Sequence, residues 1–226
     1  MNTQNIPVYC INLLRASDRR EQIIDQWTHK LDIHIEFIEA VDRRNLINLS
    51  TNKLSTGEIA CIMSHNLAYD KLLNSPHDMA LILEDDAIPV FKDTSRGKRL
   101  YKNQLFDTIY KSFSEFPESY SLILHKTPRR WGIPVGTSRV EKKIYSSLLK
   151  GSTTGTYGYV IKKSGVDFIR HNMLQFNCPM DHLWDNYSNV LKLIVSNEYY
   201  IRHPDVNLTS TYINRTKNFN KDNYCE

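Results

Sequence analysis

The stretch Ala80-Leu81-Ile82-Leu83-Glu84-Asp85-Asp86-Ala87 constrains this chain more than any other. Four apolar residues run without a break into three acids, and Pro89 follows two residues after Ala87. An apolar run closed by a polar turn predicts a buried strand of a parallel sheet, with Met79 extending it backwards. The acids then fall at the carboxyl end of the strand, where open α/β sheets place their ligand crevice. Adjacent carboxylates repel one another and resist burial. A divalent cation carrying a phosphate-linked substrate would relieve both costs. A solvated strand end that caps the next turn is the other reading of the same residues.

The flanking sequence supplies the rest of an α/β pattern. Ile6 to Leu14 reads as a first strand, followed by the polar turn Arg15-Ala16-Ser17-Asp18-Arg19-Arg20. Ser17 or Asp18 is the expected cap of a helix carrying Ile23, Ile24 and Trp27. A phosphate at that turn would meet a helix N-terminus and arginines together, although an exposed basic first turn has the same composition. Ile33 to Val41 alternates as a second strand. Ser55 or Thr56 is the expected cap of a helix that runs to Leu73, with Glu58 as the reciprocal acid of a capping box where Ser55 caps. Its expected buried stripe is Ile59, Ile62, Met63, Leu67 and Leu72. Further strands are expected at 120–125, 153–161, 191–195 and 199–201. A glycine-laced strand, such as the one holding Gly155 and Gly158, marks close approach by another backbone or a ligand. Asp181 and His182 open a short helix.

At 226 residues and 41% hydrophobic, the chain can bury a real core and is not disordered. The expected organisation is a single domain over 1–204 with a polar tail over 205–226. The net charge of +4 points only weakly to anionic partners. The basic residues lack the aromatic interleaving of a single-strand binder, so nucleic acid is not an expected partner. The four cysteines, at 10, 61, 178 and 225, lack zinc-site spacing. Cys10 and Cys61 lie in apolar stretches and are expected to be buried thiols, in a reducing compartment. With no signal-peptide pattern and no run long enough to span a bilayer, the expectation is a cytoplasmic protein, free or resting on a membrane surface.

The glycine-rich nucleotide loops, the serine elbow, the zinc-protease helix and the kinase signatures are absent. What remains is an ordered set: Ile11-Asn12-Leu13 with Arg15, Asp18, Arg19 and Arg20; Gly57-Glu58-Ile59 with Ser64-His65; Leu83-Glu84-Asp85-Asp86-Ala87; Gly155-Thr156 with Tyr159; and Asp181. This set resembles glycosyltransferase family 25, the bacterial enzymes that build the outer sugars of lipooligosaccharide, whose relatives include collagen galactosyltransferases. Ala60 departs from the glycine that the resemblance leads one to expect.

The resemblance implies an α/β, GT-A-type glycosyltransferase fold, a Rossmann-like mixed sheet flanked by helices. It implies a UDP-sugar donor and transfer of a hexose, galactose first, to the growing sugar of a lipid-linked oligosaccharide at the inner face of the cytoplasmic membrane. In such folds an acidic triplet binds Mn²⁺ or Mg²⁺. Here Asp86 and Glu84 are the expected ligands, since alternate strand residues share a face unless a turn at Asp85 breaks that geometry, with His203 as a further ligand or a plain surface histidine. Asp85 is expected at the donor sugar or ribose, and Asn12, Leu13, Arg15, Arg20, Gly155 and Thr156 around the nucleotide. Glu58 and His65 shape the donor pocket, unless His65 is simply a hydrogen-bonded core residue. Asp181 is the expected base of an inverting displacement, or else a helix cap. A UDP-glucose-dependent glucosyltransferase and a noncatalytic carbohydrate-binding or assembly protein are the alternatives.

Overall fold

The computed structural model describes residues 6–46, 54–90, 97–124, 155–173, 178–180, 192–196 and 200–204. The strands are β1 (Val8–Asn12), β2 (Glu36–Glu39), β3 (Met79–Glu84), β4 (Ile88–Pro89), β5 (Ser121–Ile123), β6 (Gly158–Lys162), β7 (Ile194–Val195) and β8 (Ile201–Arg202). The helices are α1 (Ser17–Ile23), α2 (Thr56–Leu73), α3 (Gly97–Glu115) and α4 (Lys163–Met173). Six strands form one mixed sheet in the order β2-β1-β3-β6-β5-β7. β1 is parallel to both β2 and β3, whereas β6 is antiparallel to β3 and β5. The all-parallel setting expected for β3 is therefore half met. An apolar run reports burial on both faces, not the direction of the neighbouring strand.

Alternation along the central strands divides the core in two. Val8, Cys10, Leu81 and Leu83 face one way, into a cluster with Ile23, Trp27, Leu105 and Ile109 from α1, its continuation and α3. Tyr9, Ile11, Ala80 and Ile82 face the other way, against Ile59, Tyr69 and Leu72 of α2 and Val166 and Ile169 of α4. Gly158 lies where β6 meets β8: a Cβ there would run into Ile201 Cδ1, so the close neighbour is a core side chain.

Some local expectations change. The capping box at Ser55 and Glu58 forms as its pattern predicts. Within α2, however, Leu67 is 42% exposed and Met63 half-buried, while Ala60, Ser64, His65, Ala68 and Tyr69 are buried. The inward stripe runs Ile62, His65, Tyr69, Leu72, and Leu67 falls off it. The N-cap position of α1 is Ala16, with no side-chain cap. The turn is shaped from its other side: Ala16 N donates to Leu13 O (2.8 Å) and Asn12 Nδ2 donates to Ala16 O (3.2 Å). β2 is shorter than expected because Ile33 and Ile35 are buried core residues outside the ladder. Cys10 is buried, but Cys61 is only partly so.

α1 continues into a π-helical stretch, Ile24–His29, that carries the fully buried Trp27. Its Nε1–H donates to Ala87 O at 2.9 Å, tying this helix to the turn that follows the three acids. Trp27→Ala would remove a large core side chain and leave that carbonyl without its donor. We expect a loss of about 3–5 kcal/mol in denaturant unfolding, and a midpoint that did not move would refute this anchoring role.

Candidate functional site

The site is built where β1 and β3 end side by side, with Ile11 in register with Glu84. The chain leaves β1 toward β2 on one side and returns to β3 on the other. This is a switch point of the kind that opens a crevice at the carboxyl ends of strands. A cavity of about 310 Å³ lies there. Leu13, Arg15, His65, Glu84 and Asp85 are among its lining residues, as are Arg19, Arg43 and Cys61.

The three acids do not share one face. Ala87 N donates to Glu84 O (3.0 Å), closing a turn, so Asp85 and Asp86 leave the strand and strand alternation stops at Glu84. Each carboxylate has its own partners. Glu84 Oε1 accepts from Thr156 Oγ1 and lies 3.2 Å from His65 Nε2. Thr156 follows Gly155, whose φ of 108° is one that side chains disfavour. Asp85 accepts from Asn12 Nδ2 (3.0 Å) and from Arg19 Nη1 (2.7 Å), and this bond holds the Arg19 guanidinium above its ordinary pKa. Asp86 Oδ2 lies 3.0 Å from His203 Nε2. The antiparallel pair β4–β8 carries His203 back to the acids.

His65 is 1% exposed and belongs to a buried chain of hydrogen bonds. Its Nδ1 lies 2.8 Å from the Tyr159 hydroxyl, which lies 2.8 Å from the Tyr69 hydroxyl. Burial pushes both phenol pKa values up, so both hydroxyls stay protonated. Tyr159→Phe would strand the imidazole nitrogen and the Tyr69 hydroxyl together. We expect it to cost about 1–3 kcal/mol in thermal or denaturant unfolding, where an unchanged melting curve would show that the chain contributes nothing.

Arg20 and Glu58 are not among the residues that line the cavity. Arg20 lies with its guanidinium carbon 4.0 Å above the centre of the Phe37 ring. The Glu58 carboxylate accepts from Ser55 N (2.7 Å) and Ser55 Oγ (2.8 Å), the far half of the capping box. Arg15 reaches Asp42 at 2.7 Å, and Asp42 also pairs with Arg44. Arg44 first, and then Arg15, hold the Asp42 carboxyl far below the usual carboxylate range. Asp181 lies outside the described residues. Arg43 and Cys61 are lining residues that sequence reasoning did not single out as site residues; Arg43 follows β2 and Cys61 lies on α2, and tertiary packing brings them to the same cavity.

The donor set at Asp86 fits a hard divalent cation. Asp86 Oδ1 is buried with no hydrogen-bond partner among the described residues, and the other carboxylate oxygen is beside an imidazole nitrogen. An unmet buried carboxylate oxygen calls for a cation or a water. Among the described residues a second, chemically different group also occurs: one potential ligand atom each from Cys61, His65 and Glu84 lie within 4.8 Å of one another.

Residues 5–184 match the family described as "Glycosyltransferase family 25 (LPS biosynthesis protein)". Lipooligosaccharide biosynthesis protein lic2B of Haemophilus influenzae is 27% identical over 169 residues, covering 70% of this chain and 60% of that protein. Procollagen galactosyltransferase 2 of Homo sapiens is 27% identical over 96 residues, covering 35% of this chain and 15% of that protein. The chain thus spans less than two thirds of the length of either relative. Among solved structures, a glycosyltransferase involved in the glycosylation of the major capsid of PBCV-1 aligns with a TM-score of 0.45 at 10% identity, covering 94% of this chain and 97% of that one. S. aureus TarS 1-349 aligns with a TM-score of 0.44 at 13% identity, covering 88% and 60%.

Proposed function

The chain belongs to glycosyltransferase family 25, and from that premise we propose that it moves a hexose, galactose first, from a UDP-sugar to the growing oligosaccharide of a lipooligosaccharide. The observation that carries this reading is the 310 Å³ cavity at the ends of β1 and β3, where arginines and carboxylates meet at a switch point. The names of two relatives, one a lipooligosaccharide biosynthesis protein and one a galactosyltransferase, support the acceptor class and the sugar.

In this reading Asn12, Leu13 and Arg15 frame the nucleotide, with Gly155 and Thr156 closing the opposite edge. Arg20 has to swing off Phe37 to reach a phosphate. Asp85, held by Asn12 and Arg19, presents a fixed acceptor to ribose or sugar hydroxyls. His65 and the helix start at Glu58 shape the sugar end. Asp86 and His203, with Glu84 from the strand end, would hold Mn²⁺ or Mg²⁺. A bound divalent cation supplies charge neutralisation for the departing diphosphate. The acceptor hydroxyl attacks the anomeric carbon while Asp181 takes its proton, UDP leaves from the opposite side, and the configuration inverts. The catalytic unit is residues 1–204, with 205–226 as an appended polar tail. Among the described residues no helix is long and apolar enough to cross a membrane. In this reading the lipid-linked acceptor is met by peripheral contact at the inner face of the cytoplasmic membrane.

A donor screen tests the proposal. Purified protein is assayed for UDP release from UDP-galactose, UDP-glucose and UDP-N-acetylhexosamines, with and without Mn²⁺. Metal-dependent release from UDP-galactose is expected. Preference for UDP-glucose would make it a glucosyltransferase. No release from any donor, with oligosaccharide acceptor present, would leave a carbohydrate-binding protein on the same fold.

A further inference from the structure

The cavity wall holds a donor set whose thiol, Cys61, the transfer reaction does not use. Cys61, His65 and Glu84 all line it, and one ligand atom from each lies within 4.8 Å of the others. A thiolate, an imidazole and a carboxylate are the ligands of borderline-soft cations, and such sites with three protein ligands keep a fourth position open. We propose that Cys61, His65 and Glu84 form a site for a thiophilic divalent cation of the Zn²⁺ class, which takes Glu84 away from the proposed Asp86–His203 metal set and whose occupancy thereby excludes the nucleotide from the cavity.

The surroundings of His65 suit this role. A metal-bound imidazole usually donates its other ring N–H to a fixed partner, and here the Tyr159 hydroxyl stands 2.8 Å from Nδ1. Without the ion, the contacts of Nε2 with Glu84 and of Nδ1 with Tyr159 match a tautomer in which Nε2–H donates and Nδ1 accepts. With the ion, the Nε2 lone pair binds metal and Nδ1–H donates to Tyr159. The Tyr159 and Tyr69 hydroxyls can reverse their donor and acceptor roles to serve either tautomer. On binding, the Cys61 S–H bond breaks, its electron pair forms the S–metal bond, and the proton goes to solvent. The site is thus expected to weaken as pH falls. Asp86 with His203 offers no thiolate and suits harder cations.

The exclusion of nucleotide rests on the donor reading of the cavity, whereas the metal site itself does not. The test adds Co²⁺, as a spectroscopic stand-in for Zn²⁺, to the full chain and follows thiolate-to-cobalt charge-transfer absorption. The band is expected in the unaltered protein, displaced by Zn²⁺, and lost in both Cys61→Ser and Cys61→Ala, with near-UV circular dichroism confirming that each variant is folded. UDP binding is then measured by calorimetry. Zn²⁺ at about ten times its own dissociation constant should raise the apparent Kd for UDP roughly tenfold in the unaltered protein, as mass action requires, and leave it unchanged in folded Cys61→Ser. Absence of the band, or its survival in the folded Cys61 variants, overturns the site. A band without any effect of Zn²⁺ on measurable UDP binding overturns the exclusion. If UDP does not bind even without Zn²⁺, the donor reading fails and the exclusion with it, and the cobalt result still decides the metal site.

Discussion

Asp86→Asn should weaken Mn²⁺ binding in the presence of UDP by at least about 100-fold and lower metal-dependent turnover by about 10²–10³-fold, while leaving the fold intact. The three acids differ in how well the protein satisfies them. Glu84 has Thr156 and His65, and Asp85 has Asn12 and Arg19. Among the described residues, Asp86 has His203 on one oxygen and no partner on the other, which is buried. A buried carboxylate oxygen left in this state costs stability, and it sits beside two further carboxylates. Substitution by Asn removes one of three like charges and keeps an oxygen that can accept from His203. Folded stability should therefore hold or rise as metal binding falls, a separation that a purely structural residue would not give. Mn²⁺ affinity by calorimetry and denaturant unfolding on the same variant check both halves. An Asp86→Asn protein with normal Mn²⁺ affinity and normal turnover would take Asp86 out of the metal site.

That asymmetry among the acids was only half legible from sequence. The apolar run before Glu84 marked β3 as buried, and its acids as the mouth of a crevice, because burial and strand ends leave a local trace. The Ser55–Glu58 capping box was equally readable, being a pattern of four adjacent residues. What strand alternation could not reveal was where it stops. The turn closed by Ala87 N and Glu84 O sends Asp85 and Asp86 to separate partners, and those partners lie 73 residues away at Asn12 and far along the chain at His203. The chain Tyr69–Tyr159–His65 was hidden for the same reason. It joins residues 94 positions apart, and only the packing of α2 against β6 brings them together. Leu67 and His65 show the limit of hydropathy within one helix. The apolar Leu67 is exposed and the polar His65 is buried, because a buried hydrogen-bond chain outweighs the side chain's own preference for water.

Asp181→Asn should lower turnover by about 10²–10⁴-fold, the usual contribution of a positioned general base, while UDP binding and stability stay near those of the unaltered protein. A single displacement needs one group to take the proton of the attacking hydroxyl on the face opposite the leaving diphosphate. The amide of Asn has nearly the shape of the carboxylate but cannot accept that proton at neutral pH. The nucleotide needs no base in order to bind, so donor affinity has no reason to change. The same substitution separates this role from its structural rival. If Asp181 only capped a short helix, Asn would replace it almost without loss, since Asp and Asn are near-equal N-caps. Turnover would then survive along with stability. Asp181→Ala completes the comparison: a lost cap lowers stability by about 0.5–2 kcal/mol, whereas a lost base lowers turnover by the same large factor in both variants. Steady-state turnover, UDP calorimetry and unfolding measured on the two variants therefore give different results for the two roles, and normal turnover in Asp181→Asn would remove the residue from the mechanism.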